Sequence, residues 1–491
     1  MKVLPKGDGP SAFTLMKITA TVIALALLFL VDVIAHSLFA DGEAGAAWGA
    51  IALALLFSAA IGRGFDFLNL TSLQGTYGAR IIRTFLGASN EARTVGTGNI
   101  ASDVSISDPK DDIPHHDYRP EQQGGPLHLI SVCVNETVDH ASQREIRESK
   151  GLLMTIGSFG VSVGKRYFAR WTRAGIRMPG WLSRRRWLEG LDGGECAPPA
   201  LEAIRLNSDP NTFHPLARQD NSPAVVQSLS LGEWTSVSGA AFSTGRGRAS
   251  SPLAALFMGL VNLRLGIWWH SGIRATERPG RFPANAWRRI KELPGALFRM
   301  HQLLLREWRA RFDGPSMEFW NLTDGGHMEN SGVYELIRRK LPFIICTDAT
   351  ADIDYSYEDV AAVVRNVRVD FGVEITWPDP KGLTVPALVA DWVNVDQLGK
   401  LDEIKGNKAH GGPGAKHAAI ARITYADGSE GWLLLIKASL TGSESLDVTQ
   451  YAAGNKDFPH DSTADQVYDD AQWESYRKLG YSAASAVLRD K

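Results

Sequence analysis

Apolar residues are spaced along this chain in three ways, and each spacing predicts a different structure. Two long runs come first: Ile18–His36, interrupted by one charge at Asp32, and Ala46–Ile61, which is uncharged. Both meet the length rule for a bilayer-crossing helix, the second barely, and predict a transmembrane helical hairpin within residues 1–62. Lys2, Lys6 and Lys17 precede the runs, Asp41 and Glu43 lie between them, and Arg63, Arg80 and Arg83 follow. The positive-inside rule then puts both ends of the hairpin in the cytoplasm, with the large remainder of the chain. Next, Phe65–Leu86 carries Leu70, Ile81, Ile82, Phe85 and Leu86 among three arginines, which reads as an amphipathic helix suited to a bilayer surface. Ser89–Gly125 has no apolar period and reads as a polar linker.

Short apolar runs typical of buried strands begin at Leu127, with LHLISVCV and then LLMTI. From Met317 to Trp377 they alternate with helical patterns: strand MEFWNLT, loop DGGHMENSG, helix VYELIRRKL, strand FIICTDA, helix YEDVAAVVRNVRVDF, strand VEITW. Such a β-α-β-α-β series predicts an α/β fold with a mostly parallel sheet and helical crossovers, whose ligand sites lie at the carboxyl ends of strands. The organisation expected is a membrane anchor over 1–62, an amphipathic helix and linker over 63–125, and an α/β portion over 126–491 with a basic insertion at about 165–311.

Composition narrows the class. Of 491 residues, 44% are hydrophobic and 22% charged, which excludes wholesale disorder and a many-span transporter. Net charge is -2, but Lys165–Arg311 holds 23 basic against 10 acidic residues. Trp171, Trp181, Trp187, Trp268, Trp269, Trp287 and Trp308 are interleaved with those arginines. With an anchor upstream, that mixture suits an anionic lipid surface, and no RNA-binding or helix-turn-helix signature points to nucleic acid. Cys133, Cys196 and Cys346 form no CxxC pair, and two of them sit in strand-like runs as small buried thiols.

Chemistry concentrates at Asp324-Gly325-Gly326. A carboxylate at a strand's end, followed by glycines that leave the approach open, can reach a substrate; the same residues also serve as a turn or helix cap. Asp192-Gly193-Gly194 repeats the tripeptide in plain loop. Gly160-Val161-Ser162-Val163-Gly164 is the one GxSxG, but it leads into basic KRYFARWTRAG rather than a clear helix. Ser238, in SVSGAA, is followed by small residues and an apolar helix over Pro252–Leu265, and lacks a glycine two residues before it. His327 beside the glycines suits ring packing or a loop hydrogen bond. Asp348, Asp352 and Asp354 suit helix capping better than calcium, and His115, His116 and Asp117 lack the spacing of a metal site. Neither metal nor cofactor is expected.

LTDGGHMENSGVYELIRRKLPFIICTDA resembles the Asp-containing segment of bacterial patatin-like phospholipases, in the branch related to cytosolic phospholipase A. LNLTSLQGTYGARIIRTFLGAS, SVSGAAFSTGRG, the run Asn262–Gly266, WLLLIKASLTGSES and FPHDSTADQVYDDAQWESYRKLG agree with it in order, covering about Phe65 to Leu479. The resemblance implies a lipid acyl hydrolase using a Ser-Asp dyad, with Asp324 as the base and Gly325, Gly326 and His327 in the active-site loop. In that family the serine elbow and oxyanion glycines lie N-terminal to the matched segments. The nucleophile half is therefore expected from a second chain or from sequence outside this one, with Ser238 and Ser162 as weak nucleophiles within it. A phospholipid substrate and an anionic membrane surface are the expected partners. The alternative is a non-catalytic membrane protein that keeps the fold to bind lipid or a partner.

Overall fold

The structure, a computed structural model, describes residues 44–64, 66–94, 108–139, 144–145, 150–165, 167–173, 227, 229–272, 297–405, 416–462 and 468–489, with short strand segments between 199 and 225 and scattered helical positions between 22 and 37. The chain divides into two compact units, Met1–Met328 and Glu329–Lys491.

In the first unit, helices α1 (Ala44–Gly62) and α2 (Gln74–Ile81) lead to strands β1 (Leu129–Asn135), β2 (Gly151–Gly157), β3 (Gly160–Val163), β4 (Tyr167–Arg173), β5 (Pro199–Glu202) and β6 (Ala224–Val225). Then come α3 (Leu231–Ser238), α4 (Pro252–Leu260), β7 (Ile267–His270), α5 (Arg299–Trp308) and β8 (Phe319–Asp324). The strands lie in the order β7-β8-β1-β2-β3-β4-β5-β6, every neighbour antiparallel, and His214–Pro215 adds a short parallel segment beside β4. One face is a dry core of Val132, Val134, Met154, Ile156, Val161 and Leu322. Each such side chain contributes about 2 kcal/mol by leaving water. Trp234 from α3, Trp269 and Trp320 continue it edge to face, at centroid separations of 5.5 and 5.4 Å. Helix α3 starts where it does because Ser230 and Glu233 form a reciprocal cap.

The second unit holds α6 (Val333–Arg338), β9 (Phe343–Asp348), α7 (Glu358–Phe371), β10 (Glu374–Thr376), β11 (Ala418–Thr424), β12 (Glu430–Lys437), α8 (Leu446–Gly454) and α9 (Asp470–Val487). Its sheet runs β9-β12-β11-β10; β9 and β12 are parallel and the other pairs antiparallel. Lys437 is fully buried, with its ammonium 3.0 Å from Asp348 and 3.7 Å from Asp352.

The expected mostly parallel α/β sheet is therefore wrong. All five elements of the Met317–Trp377 series form, but β8 joins the antiparallel sheet of the first unit, β9 finds its parallel partner in β12, and β10 pairs antiparallel with β11. Short connections decide this: a four-residue turn with Gly428 at φ +81° folds β12 directly back on β11, and Ser158-Phe159 folds β3 on β2. Hairpins that tight permit only antiparallel neighbours.

The transmembrane hairpin is also corrected, because among the described residues no helix is long and apolar enough to cross a membrane. At 1.5 Å per residue the Ala46–Ile61 run spans about 24 Å, short of a hydrocarbon core of about 30 Å. The final turns of α1 pack on α5 instead, with Ser58 Oγ 3.0 Å from His301 Nε2. Seven of the nineteen residues of the first run lie outside the described residues. The predicted amphipathic helix is broken into Asp66–Leu70, α2 and a π turn at Ile82–Leu86. Part of the predicted linker packs, with Asp111 buried against Arg93 and Asn90, its carboxyl held at a pKa of about 2 by those hydrogen bonds against the cost of burial.

The Lys437 ion pair anchors the ends of β9 and β12 in a region closed to water. Lys437→Ala strands Asp348 and should cost about 3 kcal/mol in chemical denaturation, whereas Lys437→Met with Asp348→Leu should recover most of that loss. A single variant as stable as wild type would show that the pair is solvated.

Candidate functional site

Strand β8 is held between β7 and β1 in a register that sets Val132 opposite Asp324, Cys133 opposite Thr323 and Val134 opposite Leu322. It ends at Asp324 because the next three residues turn in a 3-10 helix, capped by Asp324 Oδ1 accepting from Gly326 N at 2.7 Å. Only glycine fits at 325, since a Cβ there would lie 2.5 Å from the Ser131 carbonyl oxygen. Sequence analysis placed this carboxylate at a strand's end, and so it is. The capping role is present too, and it occupies one oxygen. The other accepts no hydrogen bond among the described residues, although the residue is half-buried. Burial raises the Asp324 pKa above the ordinary carboxylate value, and the single backbone N–H only partly offsets this.

Two segments distant in sequence meet beside this turn. Ser238 Oγ donates to the Ser131 carbonyl at 2.7 Å, the same oxygen on which Gly325 presses. Tyr77 from α2 donates its hydroxyl to the carbonyl of Gly239, next to Ser238, at 3.0 Å. Its pKa is raised first by burial and then by the charge of Asp324. Ser131, Ser238, Gly239, Tyr77 and Asp324 are all half-buried, so this group reaches solvent in part. Neither Tyr77 nor Ser131 was singled out from sequence. Tyr77 lies within the segment SLQGTYGAR, but no motif distinguishes it from its neighbours.

Ser238 is not on a nucleophile elbow. It is the last residue of α3, where an elbow would put the serine between a strand and the start of a helix. The N–H groups that follow it are committed: Gly239 to Thr235 O, Ala240 to Val237 O and Ala241 to Gly239 O. None points out to form an oxyanion hole. Ser162 is buried in mid-strand on β3, opposite Thr155 and Phe168. Three strand spacings separate β3 from β8, about 14 Å. The structure therefore ties Ser238 to the Ser131 carbonyl beside the Asp324 turn and leaves Ser162 apart.

Behind the Asp324 turn, on the sheet face opposite the apolar core, polar side chains form a closed lattice. Asn135 Nδ2 donates to Asn321 Oδ1 at 3.0 Å and Thr323 Oγ1 at 2.9 Å, and its Oδ1 accepts from Gly247 N at 2.9 Å. His327 stands 3.0 Å from Thr323 Oγ1 through Nδ1 and 3.1 Å from the Ala241 carbonyl through Nε2. A carbonyl only accepts, so Nε2 carries the proton and Nδ1 accepts from the threonine. Burial holds His327 near a pKa of about 4, so it is neutral at physiological pH and ties the Asp324 turn to the 241–247 loop.

The remaining candidates are structural. Asp348 pairs with Lys437, and Asp352 accepts from the N–H groups of Ser356 and Tyr357, in the turn before α7 rather than as the cap of that helix, which has no side-chain cap bond. Among the described residues no His, Cys, Asp or Glu group is arranged to hold a metal. His115 is buried edge-on to Trp171 and Trp234. Burial pushes the Cys133 and Cys346 thiols up to about 12, which leaves them unreactive. Trp268 and Trp269 are core residues rather than lipid contacts. Trp181, Trp187, Trp287, Arg177, Arg184, Arg185, Arg186, Cys196 and Asp192-Gly193-Gly194 lie outside the described residues. Comparison with family models, curated proteins and solved structures finds no match to this chain.

The raised pKa of Asp324 has a consequence for stability. The folded chain binds this proton more tightly than the unfolded one, so the group's contribution falls as pH rises through its folded pKa. Asp324→Asn keeps an acceptor for Gly326 N and carries no charge. It should melt above wild type at pH 7, with the gap closing below about pH 4 in thermal unfolding. A variant less stable than wild type at pH 7 would mean that the surroundings stabilise the carboxylate.

Proposed function

We propose that this chain supplies the base of a lipid acyl hydrolase that cleaves phospholipid or lysophospholipid esters through a Ser-Asp dyad, its serine provided by a second polypeptide or by another part of the same protein. The observation that carries the reading is the half-buried Asp324 carboxyl, whose second oxygen accepts no hydrogen bond among the described residues and whose pKa is raised by burial. In the reaction that oxygen takes the proton of the serine hydroxyl as the serine oxygen bonds to the acyl carbon. The proton then passes to the departing alcohol as the ester C–O bond breaks. Whichever supplies the serine would also bring the oxyanion donors, which Ser238 lacks. Substrate would be drawn from an anionic membrane surface. The exposed apolar side chains of α1, among them Trp48, Leu53, Leu56 and Phe57, support such a contact.

A second reading, a non-catalytic lipid-binding protein that keeps the site, is favoured by the committed N–H groups after Ser238. Hydrolysis assays separate the two. Alone the chain should be nearly inactive, and co-expression with an adjacently encoded chain carrying GxSxG and a glycine-rich loop should produce ester hydrolysis. Asp324→Asn should then lower turnover by about 100-fold to 10,000-fold, and a loss under about 10-fold would make Asp324 a turn former only. No hydrolysis in that pairing, with vesicle binding retained, would favour the second reading. Hydrolysis by the chain alone that Ser238→Ala abolishes would place the nucleophile at Ser238.

A further inference from the structure

Every sheet edge exposes a row of backbone N–H and C=O groups, and stable proteins cover or blunt such rows. In the first unit the outer side of β7 is closed by side chains and loop. Asn69 accepts from Trp268 N and donates to Trp268 O, both at 2.9 Å, and Gln227 N donates to His270 O at 2.9 Å. The other end of that sheet is β6, only two residues long. In the second unit β10 is three residues long and carries Glu374, paired with Arg368 at 2.7 Å. Each of these edges has an identifiable protection.

Strand β9 has none. Its sequence, Phe343-Ile344-Ile345-Cys346-Thr347-Asp348, contains no proline and no lysine, and β12 is its one partner. Trp432 N donates to Pro342 O and Ala438 N to Asp348 O, which fixes the alternation. Ile344 and Cys346 turn their backbone groups to β12, while Phe343, Ile345 and Thr347 turn theirs outward. The outward residues also carry the less buried side chains, with Ile345 40% exposed. The strand's only charge, Asp348, is buried and neutralised by Lys437.

We propose that this edge is an interface between two copies of the chain, β9 pairing antiparallel with β9 of a second copy about a two-fold axis at Ile345. The arrangement sets Ile345 opposite itself and Phe343 opposite Thr347, and each outward residue exchanges both backbone groups with the residue facing it. An uncharged strand meets its own copy without like-charge repulsion, which favours a second copy as the occupant. The two-fold closes the assembly, because the sheet's opposite edge, β10, is protected against further growth. The proposal is independent of the hydrolase reading.

Sedimentation velocity of the full chain over an approximately hundredfold range at micromolar concentration should show a monomer–dimer equilibrium. Ile345→Val should keep the dimer. Ile345→Lys brings two ammonium groups together at the axis and should weaken association by about 10-fold or more, with circular dichroism showing the same folded monomer at concentrations where both chains are monomeric. Hydrogen exchange supplies a readout that needs no variant, since the Ile345 and Thr347 amides should become more protected as concentration rises. A monomer at every concentration would overturn the proposal. So would a dimer that survives Ile345→Lys, or exchange at those amides that ignores concentration.

Discussion

The close approach of Gly325 to the carbonyl of Ser131 is the constraint from which the site follows. It fixes where β8 stops against β1 and so where the Asp324 carboxylate emerges. It also brings the Asp324 turn to the carbonyl on which the end of α3 is tied through Ser238. Tyr77 then closes the group from α2 through Gly239. The end of α3 and the Asp324 turn thus meet at the Ser131 carbonyl, and α2 joins them one residue on from Ser238, at the carbonyl of Gly239. A side chain at 325 would push them apart.

The polar lattice under the site explains why this geometry can be held without strain at the carboxylate itself. Asn135, Asn321, Thr323 and His327 are linked by hydrogen bonds, with the proton positions on the histidine fixed by a carbonyl on one side and a hydroxyl on the other. A network in which each member has partners rigidifies a turn, whereas a half-satisfied one would loosen it. Asp324 stands outside this lattice. Its second oxygen accepts no hydrogen bond among the described residues, and the cost of partial burial appears as a raised pKa rather than as a new bond.

Much of the local structure was legible in the sequence. The strands MEFWNLT, FIICTDA and VEITW and the two helices between them are all present, because a period of two or of 3.6 residues is a local property. Their partners were not legible, since the same alternation serves a parallel crossover or strands shared between two sheets. Turn chemistry favoured the second: the Asp427-Gly428 turn marks a hairpin that alternation alone conceals. Asp324 was found as a strand-end carboxylate. The place of Ser238 could have been anticipated, because Ser230 and Glu233 announce a helix start eight residues earlier, which no elbow serine allows. The burial of Trp268 and Trp269 was hidden, because β7 is apolar on both faces while its chain neighbours are basic.

The account rests on the Asp324 carboxyl being a poised base rather than a neutralised cap, and a titration of that one group tests it most directly. Carbon-13 labelling of the aspartate carboxyls, with Asp324→Asn to assign the signal, gives its pKa in the folded chain without reference to substrate or partner. The account predicts a midpoint above the ordinary aspartate value of about 3.9. A midpoint at or below that value would show a carboxylate already satisfied by its surroundings, and would contradict the role given to it here.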